Sequence, residues 1–448
     1  MEIAIKLFQF ILSISILVIL HELGHFLPAK WFKTKVEKFY LFFDPWFSIA
    51  KKKIGETEYG IGWLPFGGYV KIAGMVDESM DTEQLKQPAQ PWEFRAKPAW
   101  QRLIIMLGGV TVNFFLAWLI YGCLSFFNGE TTFDTTKVDT PMHYTNVAKA
   151  MGFKDGDKIL KVDGKTQNNL DKLSLDILLS DQVTVLRDGK ETTFNTNDDG
   201  KALAFKDENP KGFLTPRYAA VIDTIINPKT AEAGLKVGDQ VISANGQKIN
   251  YYDEFQAAVG KSAGKPINVE VLRNGTTQPL SIPVSKEGTI GIASYKQLEK
   301  YANTQHFTFG QAIGRGFTRS IESLTYQVKQ FKLIFNKKVQ GYKKVGGPLA
   351  IIKNMPVDQS KDGSISINWT AFWSFTAMFS VWLAFLNLIP IPGLDGGHVI
   401  FTLYEMIVGK PVPQKILENA QMVGVIFLLG LMLLIFGSDI FKAITGSL

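Results

Sequence analysis

Four blocks of apolar residues limit what this chain can become. They lie at about Leu7 to Pro28, Leu103 to Phe127, Trp369 to Ile389 and Met422 to Phe436. Runs of this kind are stable in lipid as helices, because hydrocarbon offers an open backbone no partner. Four spans bring the chain back to its starting side. Spans one and three therefore run in the same direction, and their C-terminal ends reach one membrane face. Lysines and arginines crowd the loop between the first two spans, from Lys30 through Lys51, Lys52, Lys53 and Lys86 to Arg102, whereas only Lys6 precedes the first span. The positive-inside rule puts this loop in the cytoplasm, and both termini and the stretch from Asn128 to Asn368 outside it. Lys6 and the apolar run after it resemble a secretory signal, but no small-x-small cleavage site follows, so the segment reads as a retained helix.

The first block ends in His21-Glu22-Leu23-Gly24-His25. On a helix His21 and His25 stand one turn apart on one face, so both imidazoles reach one metal ion, and Glu22 is beside them to take a proton from water. A hydrolytic zinc site needs a third protein ligand and an open position. At the end of span three, on the same face, comes the run from Asn387 to His398, which holds Pro390, Pro392 and Asp395-Gly396-Gly397. Asp395 is the natural third ligand, and His398 is a rival with an orienting or structural role. The donors suit Zn2+, and iron or cobalt would fit them too. The chain has one cysteine, Cys123, which excludes an intramolecular disulfide and cysteine-based zinc or redox pairs. The net charge of +7 follows from membrane topology; no nucleic-acid-binding module accompanies it.

Between the spans, Gly60 to Lys71 is apolar, glycine-rich and too short to cross a membrane. Paired strands with a turn at Gly67-Gly68, dipping into the interface, fit it. The external region repeats itself: the run from Ala150 to Gly164 has a counterpart from Ala233 to Gly246. Each copy leads to a strand and a turn, Asp188-Gly189 in one and Asn274-Gly275 in the other, both strong hairpin signals. Each copy resembles a PDZ domain, a fold that adds an extended peptide to a sheet edge. His306 to Val345 is helical in pattern and basic, and reads as a segment on the outer membrane surface. His143 and His306 belong to this region and not to the metal motif.

His21-Glu22-Leu23-Gly24-His25, the Asn387-to-Gly396 run and the paired PDZ-like copies together resemble the site-2 protease family. The resemblance covers nearly the whole chain. It implies an intramembrane zinc endopeptidase that cuts transmembrane segments of single-span proteins, of the anti-sigma-factor type or remnant signal peptides, in regulated intramembrane proteolysis of an envelope stress response. It implies His21, His25 and Asp395 as zinc ligands and Glu22 as catalytic base. Asn387 would hold the substrate backbone, and Gly67, Gly68, Tyr69 and Val70 would form a membrane-dipping β element that pairs with unwound substrate. The chain departs from the family at Asn113, which lacks the Gly-Pro that often precedes it. That reduces Asn113 to an interhelical hydrogen bond.

The fold expected is a multi-pass α-helical membrane protein of the bacterial inner membrane: four transmembrane helices, a membrane-associated β element and two tandem periplasmic PDZ domains. The divisions are 1–29 for the first span, 30–101 for the cytoplasmic loop and 102–127 for the second span. PDZ-like copies occupy 128–215 and 216–305, and the surface helical segment 306–366. The third span covers 367–389, the loop with Asp395 390–418, and the fourth span and tail 419–448. The PDZ pair could read freshly made termini or exclude bulky external domains. Two other classes fit parts of the pattern: a membrane scaffold with an inert metal site, against which Glu22 argues, and a metal-ion transporter, against which the peptide-binding modules argue.

Overall fold

The computed structural model describes residues 2–75, 87–133, 142–167, 169–206, 213–293, 302–344, 346–359 and 364–445. Lys86 and Val345, used in the topology reading above, lie outside the described residues. The chain divides into two compact units: Met1–Gly129 with His306–Lys329 and Val345–Leu448, and Glu130–Gln305 with Gln330–Lys344.

The helices of the first unit are α1 (Glu2–Trp31), α2 (Ala99–Asn128), α3 (Phe309–Ile334, which belongs to this unit as far as Lys329), α4 (Pro348–Lys353), α5 (Trp369–Leu388), α6 (Asp395–Val408) and α7 (Gln414–Ile444). Among the described residues α1, α2, α5 and α7 are long and apolar enough to cross a membrane. α2 is the hub, packed against α1, α5 and α6. Its faces differ accordingly: Ile105, Met106, Gly109, Asn113 and Ala117 are buried, whereas Ile104, Phe115 and Leu119 are exposed.

Small residues explain the closest contact. Pro28 lies inside α1 and has no N–H, so the Gly24 carbonyl lacks its usual helical partner. Gly108 of α2 packs on that carbonyl, and a Cβ on either Gly24 or Gly108 would overlap the other's backbone. The stretch after α5, expected as a loop up to 418, instead turns at Pro390 to Leu394 and enters α6 at Asp395. Gly396 allows that turn, since a Cβ there would strike the Ile389 carbonyl.

β1 (Val36–Ile54) and β2 (Thr57–Ile72) are long and curled. Residues 38–41 of β1 pair with 68–71 of β2 on one side and with 58–61 on the other, while 50–54 also pair with 57–61. The result is a four-stranded mixed layer in the order 68–72, 36–41, 57–62, 48–54: the two outer pairs are antiparallel, and 36–41 and 57–62 run in the same direction. The tight turn is at Gly55-Glu56, between Ile54 and Thr57. The turn expected at Gly67-Gly68 is therefore corrected: both glycines lie within β2. Gly68 is needed for packing, because a Cβ there would meet the Val18 side chain of α1 and the Tyr40 carbonyl.

The second unit holds two four-stranded sheets. In one, β3 (Lys158–Val162), β4 (Lys165–Thr166), β5 (Gln182–Arg187) and β6 (Lys190–Asn195) run in the order β4-β3-β5-β6. In the other, β7 (Gln240–Ala244), β8 (Gln247–Lys248), β9 (Ile267–Arg273) and β10 (Thr276–Ile282) run in the order β8-β7-β9-β10. Helices Leu170–Leu179 and Tyr252–Lys261 occupy matching places in the chain. Both hairpins close through a residue at positive φ followed by glycine: Asp188 at 51° with Gly189 at 76°, and Asn274 at 49° with Gly275 at 78°. These are the turns that the sequence predicts.

Each sheet is locked by the same ion pair. Arg187 grips both oxygens of Asp157, and Arg273 both oxygens of Asp239. The backbone N–H of Lys154 or Lys236 completes each carboxylate, and each arginine also donates to the carbonyl of Gly152 or Gly234. Burial alone would raise the Asp239 carboxyl, but the Arg273 hydrogen bonds and charge hold it below its usual range.

Candidate active site

α1 presents His21 and His25 one turn apart, both buried, with ring centroids 4.8 Å apart. α6 brings Asp395 to them at its first turn. Its Oδ2 lies 3.3 Å from His21 Nε2 and 3.2 Å from His25 Nε2, and the two Nε2 atoms are 3.3 Å apart. Among the described residues this is the one group of three or more metal-binding side chains, with ligand atoms all within 4.8 Å of one another. It joins the two ends of the chain, as expected from H-E-x-x-H and the Asn387-to-His398 run.

The surroundings decide the protonation of each ring. His25 Nδ1 donates to the Ile105 carbonyl at 2.8 Å, leaving Nε2 as a bare lone pair. Asn387 Nδ2 donates to His21 Nε2 at 3.2 Å, which requires a lone pair there too. A neutral imidazole accepts at one nitrogen only. His21 Nδ1 therefore carries the proton, and Asn113, whose side-chain amide is 3.1 Å away, must turn its oxygen to accept it. Two nitrogen lone pairs and the Asp395 Oδ2 thus converge, and that buried oxygen has no hydrogen-bond donor. Three acceptors this close repel unless a cation lies among them. Two imidazoles and one carboxylate are zinc donors, so the residues fit the metal.

The close approach of α2 makes this possible. A Cβ on Gly109 would lie 2.8 Å from His21 Nδ1, so glycine keeps the space that the imidazole occupies. Asn113 and the Ile105 carbonyl act from α2 on the two rings, as partners that orient metal-binding histidines do. Sequence reading gave Asn113 only an interhelical bond. The signal available was a buried amide within an apolar span. Nothing marked the Ile105 carbonyl, because any helix residue has one.

Glu22 is half-buried and faces the backbone N–H of Val70. The edge strand 68–72 therefore passes beside it at Val70, while Gly68 packs on Val18 of α1 and Gly67 on the Phe43 ring. Tyr69 is different. Its hydroxyl donates to Asp44 at 2.9 Å and its ring stacks between Tyr40 and Phe43, so the side chain braces the sheet. Burial first, then the Asp44 bond, raises the Tyr69 hydroxyl far above its ordinary pKa. His398 is half-buried on α6, away from the three converging donors, and lines a cavity of about 250 Å³ with Arg102 and Glu405. His143 pairs with Asp253 in the second unit.

The sequence profile of Peptidase family M50 matches residues 9–431. A Clostridium perfringens protein named as a zinc metalloprotease is 27% identical over 431 residues, 96% of this chain and 97% of that one. The regulator of sigma E protease of Haemophilus influenzae is 26% identical over 445 residues, covering 94% and 96%. RseP of Escherichia coli, the regulator of sigma-E protease, is 26% identical over 446 residues, covering 95% and 96%. The chain belongs to peptidase family M50, the site-2 type of zinc metalloprotease.

Proposed function

We propose that the protein cleaves transmembrane segments of single-span membrane proteins, with His21, His25 and Asp395 as zinc ligands and Glu22 as catalytic base. The observation that carries this reading is the convergence of two imidazole lone pairs and an undonated carboxylate oxygen beside Glu22, within an apolar helix. Bound there, zinc supplies Lewis acidity, which acidifies water and polarises a carbonyl. Glu22 takes the proton from the attacking water and returns it to the leaving amine. Asn387, beside His21 Nε2, holds the substrate backbone near the scissile carbonyl. Gly67, Gly68, Tyr69 and Val70 offer their backbone edge to the substrate. A helix hides its carbonyls in internal bonds, so it must unwind before it can be cut, and an edge strand replaces the bonds it loses.

The two sheets of the second unit are PDZ domains in this reading, spanning 128–215 and 216–305. Their matching strand orders, hairpin turns and Asp–Arg locks support it. They lie in the periplasm with both termini, and the active site opens toward the cytoplasm, as the basic loop from Lys30 to Arg102 requires. They exclude substrates with bulky external domains. The relatives named as regulators of sigma-E protease favour an anti-sigma factor as substrate, in an envelope stress response at the inner membrane.

The test is Glu22→Gln in the full chain. It should keep bound zinc and fold while abolishing cleavage of a single-span reporter; cleavage at the wild-type rate would remove the assignment.

A further inference from the structure

The β sheet has two free edges, and only one belongs to the proposed active site. Strand 68–72 passes Glu22; strand 48–54 lies at the opposite edge. Three strand spacings separate them, about 14 Å. The far edge carries Lys51, Lys52 and Lys53 in succession, all exposed. Among the described residues none of the three is in an ion pair, and Glu56 in the following turn leaves the strand net positive. Large apolar side chains flank them: Trp46 is 90% exposed, Ile49 65%, Phe47 59% and Ile54 59%. Trp46 and Phe47 stack on Trp63, at 6.0 Å and 5.8 Å between ring centroids.

Lysines on an open edge strand are also a common device against strand pairing. That role gives no reason for the aromatic cluster next to them. Aromatic rings beside a run of cations match the boundary of an anionic lipid leaflet, with rings at headgroup level and ammonium groups among the phosphates. The positive-inside reading puts this loop on the cytoplasmic side, where the anionic lipids are.

We propose that the Lys51–Lys53 strand, with Trp46, Phe47 and Ile49, anchors the sheet on anionic phospholipid headgroups and so sets where the 68–72 edge stands relative to Glu22. This rests on the reading of that edge as the strand that receives substrate. The sheet transmits the anchoring because its strands are cross-tied. Besides the ladders, Tyr40 donates to Glu58 at 2.7 Å and Tyr69 to Asp44 at 2.9 Å.

The experiment uses the full chain in vesicles of phosphatidylcholine alone or mixed with phosphatidylglycerol, and a single-span reporter. Cleavage should be at least about fivefold faster in the anionic vesicles. The K51Q/K52Q/K53Q variant should lose that difference, and so should the wild type in high salt, which screens exposed charges. Equal rates in both vesicles, or a triple variant that keeps the full lipid dependence, would overturn the anchor. A second readout is independent of cutting. The only native cysteine is Cys123, so Ile49→Cys in a Cys123→Ser background takes a single fluorophore. Brominated acyl chains should quench it more in anionic vesicles, and not when the three lysines are replaced; quenching indifferent to lipid charge contradicts the proposal. A chain that shows the quenching change yet cuts nothing in either vesicle would uphold the anchor and sink the protease reading instead.

Discussion

Asp157 and Asp239 of the second unit and Asp395 of the first are buried in opposite ways. Asp157 and Asp239 have side chains only 1% exposed, and each is met by an arginine fork and a backbone N–H. Asp395 is 17% exposed, and its Oδ2 faces two imidazole nitrogens and no donor. The first arrangement is complete, so its free energy goes into holding a sheet. The second is incomplete until a cation arrives. Burial is common to both. Whether donors match acceptors separates a structural carboxylate from one with chemistry to perform.

The largest effect that could break this contrast belongs to Glu22. Glu22→Gln should lower cleavage by about 10³-fold or more while zinc content stays at the wild-type level. A loss of zinc alongside activity would mean that Glu22 supports the donors themselves. On the structural side, Asp239→Asn leaves Arg273 without its counter-charge and should destabilise its sheet. Hydrogen exchange in β7 and β9 of the full chain would read that, with zinc content unchanged. The same pair has a pH signature. Because the folded-state pKa of Asp239 is depressed, its stabilisation is complete above the ordinary carboxylate range and is lost as pH falls through the folded value. Protection factors in β9, which remove the intrinsic slowing of exchange in acid, should therefore fall as pH drops for the wild type and much less for Asp239→Asn.

Two smaller effects sharpen the comparison from the α2 side. Gly109→Ala puts a methyl group against the imidazoles and should weaken zinc binding about 100-fold, measured by competition with a chelator. Asn113→Leu removes the acceptor for His21 Nδ1 and should weaken it about tenfold. Equal zinc affinity in Asn113→Leu and wild type would return Asn113 to a packing role.

Residue type and spacing made the donors legible, and topology brought them to one face. His21 and His25 follow from helical period, and Asp395 from the parity of the spans. The hairpin turns at Asp188-Gly189 and Asn274-Gly275 were equally plain, because positive φ suits those residues. Gly67-Gly68 misled for the same reason: glycine pairs mark turns, but here Gly68 gives room for a strand to lie against Val18 of α1 and Gly67 faces the Phe43 ring. The helical start at Asp395 was hidden by Pro390, Pro392 and two glycines, all of which read locally as loop. What made them part of a tight turn was contact with the Ile389 carbonyl, a fact of packing that local pattern does not hold. Asn113 was read as an interhelical hydrogen bond, which it makes, but its partner His21, 92 residues away, was not legible in the sequence.

The most direct test of the central claim is zinc analysis of the purified full chain beside that of Asp395→Asn. The account predicts equimolar zinc in the wild type and little in the variant, with cleavage of a single-span reporter falling in step. Equimolar zinc retained by Asp395→Asn, or a wild type that cleaves with no metal bound, would contradict it.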